Sequence, residues 1–214
     1  MNAADVTMAL ALEDFVPVIF TSIAVFLLAR WSPARRAAAV AGALLIAVGG
    51  VSKASWKLLA VGWGVDVQVM AEALFPCLST GFVLLSWSLF AAAGRRIPWP
   101  FPAVLIAAGL GAAVAVWDTW PVLITTILGA TALAVALIML ARQRRDRVAV
   151  ALMVFWIAGQ YTLGPLAARP GQTLTLQWIE QICNSVAQAA LLAAAWRLTR
   201  TRAERFESPL ETVS

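Results

Sequence analysis

Residues 120–141 read WPVLITTILGATALAVALIMLA and contain no charged side chain. A run of this length and character matches the about 20 apolar residues that a helix needs to cross a bilayer. Together with six similar stretches it covers residues 15–29, 37–57, 67–91, 101–117, 120–141, 148–166 and 173–196. We expect all seven to be helices, because the hydrocarbon core offers no water to backbone N–H and C=O groups. The stretches are continuously apolar rather than alternating, which excludes a transmembrane barrel.

Composition places the chain among membrane proteins. Of its 214 residues, 62% are hydrophobic and 13% are charged, whereas soluble proteins average about 45–50% apolar and about 25% charged residues. The seven stretches leave no room for a soluble domain, so residues 1–214 are interpreted as a single all-α transmembrane domain. The chain has no histidine, which excludes histidine-ligated metals and Ser-His-Asp catalysis. We expect no enzyme activity, no metal and no cofactor.

Basic residues are concentrated in the connections on one side of the predicted helix bundle. The positive-inside rule places that side in the cytoplasm, the amino terminus outside and residues 197–214 in a cytoplasmic tail. Because the charges lie between apolar stretches, we expect the partner of the chain to be a lipid bilayer and not a nucleic acid. The expected location is a bacterial plasma (inner) membrane. The outer side carries only the basic residues Lys53, Lys57 and Arg169, with the acidic residues Asp5, Glu13, Asp14, Asp66 and Asp118. The inner side carries Arg30, Arg35, Arg36, Arg95, Arg96, Arg142, Arg144, Arg145, Arg147, Arg197, Arg200, Arg202 and Arg205.

An internal repeat relates the first and the second half of the chain. The segments DFVPVIFTSI at 14–23 and DTWPVLITTI at 118–127 share five of ten residues. They begin the first and fifth stretches, which run in the same direction. We therefore predict a parallel 3+1+3 repeat, with residues 15–91 and 120–196 as three-helix units and residues 101–117 as the linker helix.

This plan, with the amino end outside, resembles the SWEET sugar carriers and the related PQ-loop and KDEL-receptor proteins. The resemblance covers the topology, the chain length, the paired Pro17 and Pro121, and Asn184 in the seventh stretch. The Pro-Gln signature of that group is missing, and the third stretch offers Cys77 and Ser79 but no asparagine. We therefore assign the chain to no family.

Charged residues inside the predicted spans are the first candidates for a functional site, because an ionised group at the bilayer centre costs at least about 2.5–3.5 kcal/mol. Lys53 and Lys57 lie in the second stretch, Glu72 in the third and Glu180 in the seventh. One interpretation is a compensated cluster above an outward-facing cavity. The alternative is structural: Lys57 extends to the membrane surface and Lys53 pairs with Glu72 to hold two helices together.

Amide side chains form a stripe along the seventh stretch. Gln177, Gln181, Asn184 and Gln188 follow each other at spacings of four, three and four, so they share one helix face. Such a stripe either lines a polar cavity or satisfies neighbouring helices, and we favour the cavity. Trp156, near the centre of the sixth stretch, either packs in the core or forms a wall of that cavity.

These residues predict a small multi-pass membrane carrier or ligand-binding protein for a polar or zwitterionic small molecule, held between two three-helix halves. Its predicted ligand-binding residues are Lys53, Glu72, Trp156, Glu180, Gln181, Asn184 and Gln188. The alternative is a non-catalytic accessory or sensory subunit whose intramembrane polar residues contact a membrane-protein partner or a second copy of the chain. A third interpretation, a lipid-acting enzyme using Glu72 or Glu180, is the weakest, because paired carboxylates alone specify no reaction.

Overall fold

A computed structural model describes residues 8–32, 35–167 and 173–207, and every regular element in these ranges is a helix. The predicted all-α class is therefore confirmed for the part of the chain that the structure describes. The elements are α1 (Met8–Glu13), α2 (Phe15–Trp31), α3 (Arg36–Trp63), α4 (Gln68–Glu72), α5 (Leu74–Ala92), α6 (Pro100–Val116), α7 (Trp120–Gln143), α8 (Arg147–Ala167) and α9 (Leu174–Glu207).

Two of the seven rods are interrupted near one end. A single residue, Asp14, separates α1 from α2, and Ala73 separates α4 from α5. Each interruption lies three residues before a proline, Pro17 or Pro76. A proline lacks the N–H for the helical hydrogen bond and clashes with the carbonyl four residues earlier, so the helix is disturbed in the turn that precedes it.

Four rods are long and apolar enough to cross a membrane. They are Met8–Trp31, Arg36–Trp63, Gln68–Ala92 and Trp120–Gln143. The helix α6 has 17 residues and spans about 25 Å at 1.5 Å per residue, slightly less than the about 30 Å of a hydrocarbon core. In α9 the amide stripe lowers the hydropathy of the membrane-length segment. The composition and these four helices indicate a membrane protein.

Six rods form a closed ring, and the seventh lies outside it. Around the ring α2 contacts α3, α3 contacts α5, α5 contacts α7, α7 contacts α8, α8 contacts α9, and α9 returns to α2. The helix α6 packs on the outer side of α5 and α7. The ring encloses fully buried side chains from all six rods, including Leu28, Ile46, Leu85, Leu137, Met153 and Leu191.

Two facing glycines bring α3 and α5 close together. A Cβ atom placed on Gly42 in α3 would lie 2.7 Å from the carbonyl oxygen of Gly81 in α5, and one placed on Gly81 would lie 2.8 Å from the carbonyl oxygen of Gly42. Small residues permit such backbone contact between membrane helices. Gly49 continues the same contact, because its Cβ position lies 2.8 Å from the Cβ of Cys77.

At the predicted cytoplasmic side, Arg35 links the α2–α3 loop to the α5–α6 loop. Its guanidinium carbon lies 3.8 Å from the centroid of the Trp87 ring. Its two terminal nitrogens donate to the carbonyl oxygens of Trp87 at 3.1 Å and of Ile97 at 2.9 Å. Arg35 therefore has a structural partner in addition to its contribution to the charge asymmetry.

Several predicted helix ends require correction. The first rod begins at Met8 rather than at residue 15, so Glu13 and Asp14 lie at its internal turn and not in an outer loop. The helix α3 continues past Lys57 to Trp63 and ends at Gly64, whose φ of 67° is the left-handed conformation of a helix C-cap. The helix α9 continues past residue 196 to Glu207, so the start of the predicted tail is helical. Asp5, Arg169 and residues 208–214 lie outside the described residues.

Candidate functional site

Trp156 occupies the interior of the ring. The side chain, in α8, has no exposed surface, and its ring packs edge-on against Phe82 of α5 with the centroids 6.3 Å apart. Its Nε1 donates a 3.0 Å hydrogen bond to the Oε1 of Gln188 in α9. The structure therefore places Trp156 as a packing residue that also belongs to a buried polar group.

Gln188 is the centre of this group. Because an indole N–H only donates, the amide must present its oxygen to Trp156, and the same oxygen accepts a 3.0 Å hydrogen bond from the Oγ1 of Thr21 in α2. The Nε2 of Gln188 then donates to the Oδ1 of Asn184 at 3.2 Å. We call Thr21, Trp156, Asn184 and Gln188 the amide cluster. It joins α2, α8 and α9 near the middle of the Met8–Trp31 span.

The half-buried carboxylate of Glu13, in α1, contacts α9 about one turn before Gln188. The Oγ of Ser185 donates a 2.7 Å hydrogen bond to the Oε1 of Glu13. The second oxygen of Glu13 is buried and has no hydrogen-bond partner among the described residues. A buried oxygen of this kind is a strong acceptor that still has capacity for a donor.

An ion pair adjoins this carboxylate. The Nζ of Lys57 lies 2.6 Å from the Oδ2 of Asp14, and each side chain is only 16% exposed. The pair connects α3 to the turn between α1 and α2. With Glu13 it forms a charged extension of the amide cluster toward the predicted outer side.

The other charged candidates are not drawn into one cluster. Lys53 is exposed, and its Nζ lies 5.9 Å from the centroid of the Phe75 ring. Glu72 is exposed at the end of α4. Within the described part of the chain, neither Lys53 nor Lys57 forms an ion pair with Glu72 or Glu180. Glu180 is half-buried and engaged in an interaction of its own.

The amide stripe has a buried and a half-buried part. Gln177 and Gln188 are each 8% exposed, whereas Gln181 and Asn184 are half-buried. The stripe therefore extends the polar surface of α9 from the amide cluster toward the predicted outer side. In the described residues no group of three histidine, cysteine, aspartate or glutamate side chains is arranged to hold a metal ion.

Two surface depressions of the described residues lie away from the predicted site. One, of about 260 Å³, is lined by Arg142, Arg145, Asp146, Arg147 and Val150. The other, of about 280 Å³, is lined by Ser22, Ile23, Phe26, Leu27 and Arg30 on α2. Trp156 is fully buried beside Gln188, and none of the predicted ligand-binding residues lines either of these two depressions.

Sequence reasoning missed Glu13, Asp14, Thr21 and Ser185 as members of the polar interior. The pattern that would have found the first of them is helical: Glu13, Pro17, Thr21, Ala24 and Leu28 recur on one face, and the last two are fully buried. Because the first stretch already includes Pro17, extending its period backward by one turn includes Glu13. The partner residues on α9 have no such signal, because their pairing depends on which helices are neighbours.

No protein-family model, no curated protein and no solved structure matches this chain. The class of the protein is therefore defined by the fold and composition alone. Apolar helices of membrane length surround a buried polar interior, and large apolar side chains such as Val48, Ile124, Val154 and Ile182 are exposed on the outside. These features define a polytopic helical membrane protein.

Proposed function

We propose that the protein is a small membrane carrier or ligand-binding protein for a polar or zwitterionic molecule, which binds between two three-helix halves. The observation that carries the proposal is the amide cluster at the contact of α2 with α9. Interhelical polar pairs contribute only about 0.6 kcal/mol on average to membrane-protein stability. A cluster that includes two amides, flanked by a carboxylate with an unused oxygen, exceeds what helix association requires.

The order of helices around the ring supports the proposed repeat. If α2, α3 and α5 correspond to α7, α8 and α9, the contact of α2 with α3 corresponds to that of α7 with α8. The contact of α3 with α5 corresponds to that of α8 with α9, and α5 with α7 to α9 with α2. This matching is what a two-fold axis along the membrane normal would produce. The halves then meet at two seams, α5–α7 and α9–α2, and the amide cluster lies at the second.

The proposed binding site combines the amides of this seam with Lys53 of α3 and Glu72 of α4, which lie outside it. Asn184, Gln181 and Gln188 present donors and acceptors that orient the ligand. Lys53 attracts an anionic group, and Glu180 and Glu72 bind a cation or a proton. Because Trp156 fills the interior, entry of a ligand requires α9 to move away from α2 and the Trp156–Gln188 hydrogen bond to break. The conformation described here is then the closed state.

The orientation and the location belong to the same proposal. Thirteen of 16 basic residues fall on one side of the helices, which supports a cytoplasmic carboxyl end and an outer amino end. That orientation fits a bacterial plasma membrane.

The proposal is tested by ligand-dependent thermal unfolding of the purified protein and by uptake into proteoliposomes. The probes are the zwitterionic amino acids and glycine betaine, each alone. At least one is expected to raise the unfolding temperature and to be accumulated. Asn184→Ala and Lys53→Gln are expected to weaken its binding about tenfold, equivalent to about 1.4 kcal/mol. Gln143→Ala is the control, because Gln143 bonds the carbonyl of Ala93 at the far end of α7. No stabilisation by any probe, or equal binding by all variants, would refute the proposal.

A second candidate is favoured by the packed interior. With Trp156 fully buried and the ring closed, the polar residues also suit a non-catalytic accessory or sensory subunit. In that case a stoichiometric membrane-protein partner, or a second copy of the chain, copurifies with the protein in mild detergent. Substitution of the half-buried Gln181 or Asn184 then releases the partner without altering any ligand response.

A further inference from the structure

The α7–α8 turn at the predicted cytoplasmic side forms a basic depression of about 260 Å³. It is lined by Arg142 from the last turn of α7, by Arg145 and Asp146 from the connection, and by Arg147 and Val150 from the first turn of α8. One water occupies about 30 Å³ in the liquid, so the depression has room for a phosphate group together with several solvent molecules.

The negative charge in this depression is already neutralised. Both oxygens of Asp146 accept hydrogen bonds from Arg197 of α9, Oδ2 from Nε at 3.0 Å and Oδ1 from Nη2 at 3.1 Å. The Oδ1 also accepts from the backbone N–H of Ala149 at 3.0 Å. Burial acts to raise the pKa of Asp146, but Arg197 and the N–H groups of Ala149 and Val148 outweigh it and hold that pKa below its usual value.

Three arginines that line the depression lack partners of this kind among the described residues. Arg142, Arg145 and Arg147 make no hydrogen bond or ion pair with any described residue. Arg144, in the same turn, differs: its guanidinium donates to the carbonyl oxygen of Leu198 and lies 4.6 Å from the centroid of the Trp31 ring. The turn thus separates one structural arginine from three exposed arginines that line the depression.

Helix stability accounts for Arg142, because a cation in the last turn of α7 is favourable to the helix dipole, but it does not account for Arg147. A cation in the first turn of a helix opposes the helix dipole, so Arg147 is unfavourable for α8. Arg145 has a φ of 57°, a left-handed conformation that is uncommon outside glycine. The positive-inside rule accounts for arginines on this side but not for their convergence on one concave surface.

We propose that this depression binds the phosphate group of an anionic ligand at the membrane surface. Guanidinium groups present planar N–H donors that match phosphate oxygens, and basic pockets between helices on the cytoplasmic side suit anionic lipid headgroups. The depression lies at the ends of the apolar helices α7 and α8, where a phospholipid headgroup would be located. The inference is independent of the proposed carrier function.

The test measures binding of short-chain phosphatidylglycerol, phosphatidylcholine and inorganic phosphate to the full-length protein in neutral detergent, by native mass spectrometry and thermal unfolding. The site variant is Arg142→Gln, Arg145→Gln and Arg147→Gln combined. The matched control combines Arg36→Gln, Arg95→Gln and Arg96→Gln, which removes the same charge from exposed positions on the same side. Unfolding in phosphatidylcholine verifies that each variant is folded, and the three single site variants replace the triple variant if it is not.

Phosphatidylglycerol is expected to bind the wild-type protein at least about tenfold more tightly than phosphatidylcholine, and the site variant to lose that preference while the control keeps it within about twofold. Inorganic phosphate that binds alone, with the same dependence on the three arginines, identifies a soluble rather than a lipid source of the phosphate. Equal loss in both triple variants would show diffuse attraction by the basic face and overturn the proposal. So would a wild-type protein that binds neither anion in preference to phosphatidylcholine.

Discussion

The Nε1 of Trp156 and the Oε1 of Gln188 lie 3.0 Å apart in the interior of the helix ring, where Trp156 is fully buried and Gln188 is 8% exposed. The same Gln188 oxygen accepts from Thr21. One amide therefore satisfies donors from two other helices. In a low-dielectric interior, this arrangement stabilises the closed ring and makes Gln188 the residue on which its polar contacts depend.

Replacement of Gln188 by leucine is expected to leave the Trp156 N–H and the Thr21 hydroxyl without their acceptor. An unsatisfied buried donor costs about 1–3 kcal/mol, and membrane proteins lie toward the lower end. We expect a loss of about 1–2 kcal/mol in chemical unfolding. Gln181→Leu, on the same helix but half-buried, is expected to cost less than half as much. Trp156→Phe combined with Gln188→Leu should cost less than the sum of the single changes, and strict additivity would contradict the direct coupling.

The Asp14–Lys57 ion pair predicts that removing both charges is less destabilising than removing the Lys57 charge alone. Lys57→Met leaves the Asp14 carboxylate without its partner at a side chain that is 16% exposed. The cost should fall between the about 1 kcal/mol of an exposed pair and the about 3–5 kcal/mol of a fully buried one. Adding Asp14→Asn should recover most of the stability, because no charge then remains. A double variant as unstable as Lys57→Met alone would show that the pair is not what Lys57 contributes.

Alanine is expected to have opposite effects at the two facing glycines and at Gly111. Gly42→Ala and Gly81→Ala each place a Cβ within 2.8 Å of a backbone oxygen, so α3 and α5 must separate. We expect each to destabilise the protein by about 1–3 kcal/mol, the typical cost of overpacking. Gly111→Ala is the control: its Cβ meets nothing within 4 Å, and alanine is about 1 kcal/mol better than glycine in a helix. Unfolding curves in one detergent rank the three variants, and a loss of stability in Gly111→Ala would show that overpacking does not explain the losses at Gly42 and Gly81.

The sequence predicted the helical class and the central part of each rod, because a continuous apolar stretch has few alternatives to a helix in lipid. It predicted the start of the first rod wrongly. In the sequence, the charges of Glu13 and Asp14 indicate a loop. Their partners in the fold, the Ser185 hydroxyl and the Lys57 ammonium group, lie on other helices. Charge alone thus indicated a boundary where tertiary contacts allow the helix to continue.

The residues of the candidate site could also be predicted only where they lie on the same helix. The period of the amides on α9 correctly grouped Asn184 with Gln188, which are hydrogen-bonded. It gave no indication of Thr21, because nothing in a sequence states that the first rod packs beside the seventh. The structural alternative in which Lys53 pairs with Glu72 does not form within the described residues. The proline-related interruption at Ala73 leaves Glu72 exposed at the end of the short helix α4, outside α5.

Asp146 predicts a component of stability that depends on pH. Its carboxylate caps α8 through Ala149 and pairs with Arg197, and its folded pKa lies below the about 3.9 of an unfolded aspartate. The stabilisation is therefore complete above the unfolded pKa and is lost as pH falls through the folded pKa. The cap contributes about 1 kcal/mol. The pair contributes less than about 1 kcal/mol, because the Arg197 side chain is 42% exposed.

Unfolding temperatures of the wild-type protein and of Asp146→Asn test this between about pH 3 and pH 7. The wild-type advantage should be constant near neutrality and shrink below about pH 4, because the protonated carboxyl resembles the amide. Arg197→Gln should keep the capping contribution and lose only part of the pH dependence, since the backbone N–H groups still favour the carboxylate. An advantage of the wild-type protein that stays the same down to about pH 3 would show that the Asp146 carboxylate is not stabilised by these contacts.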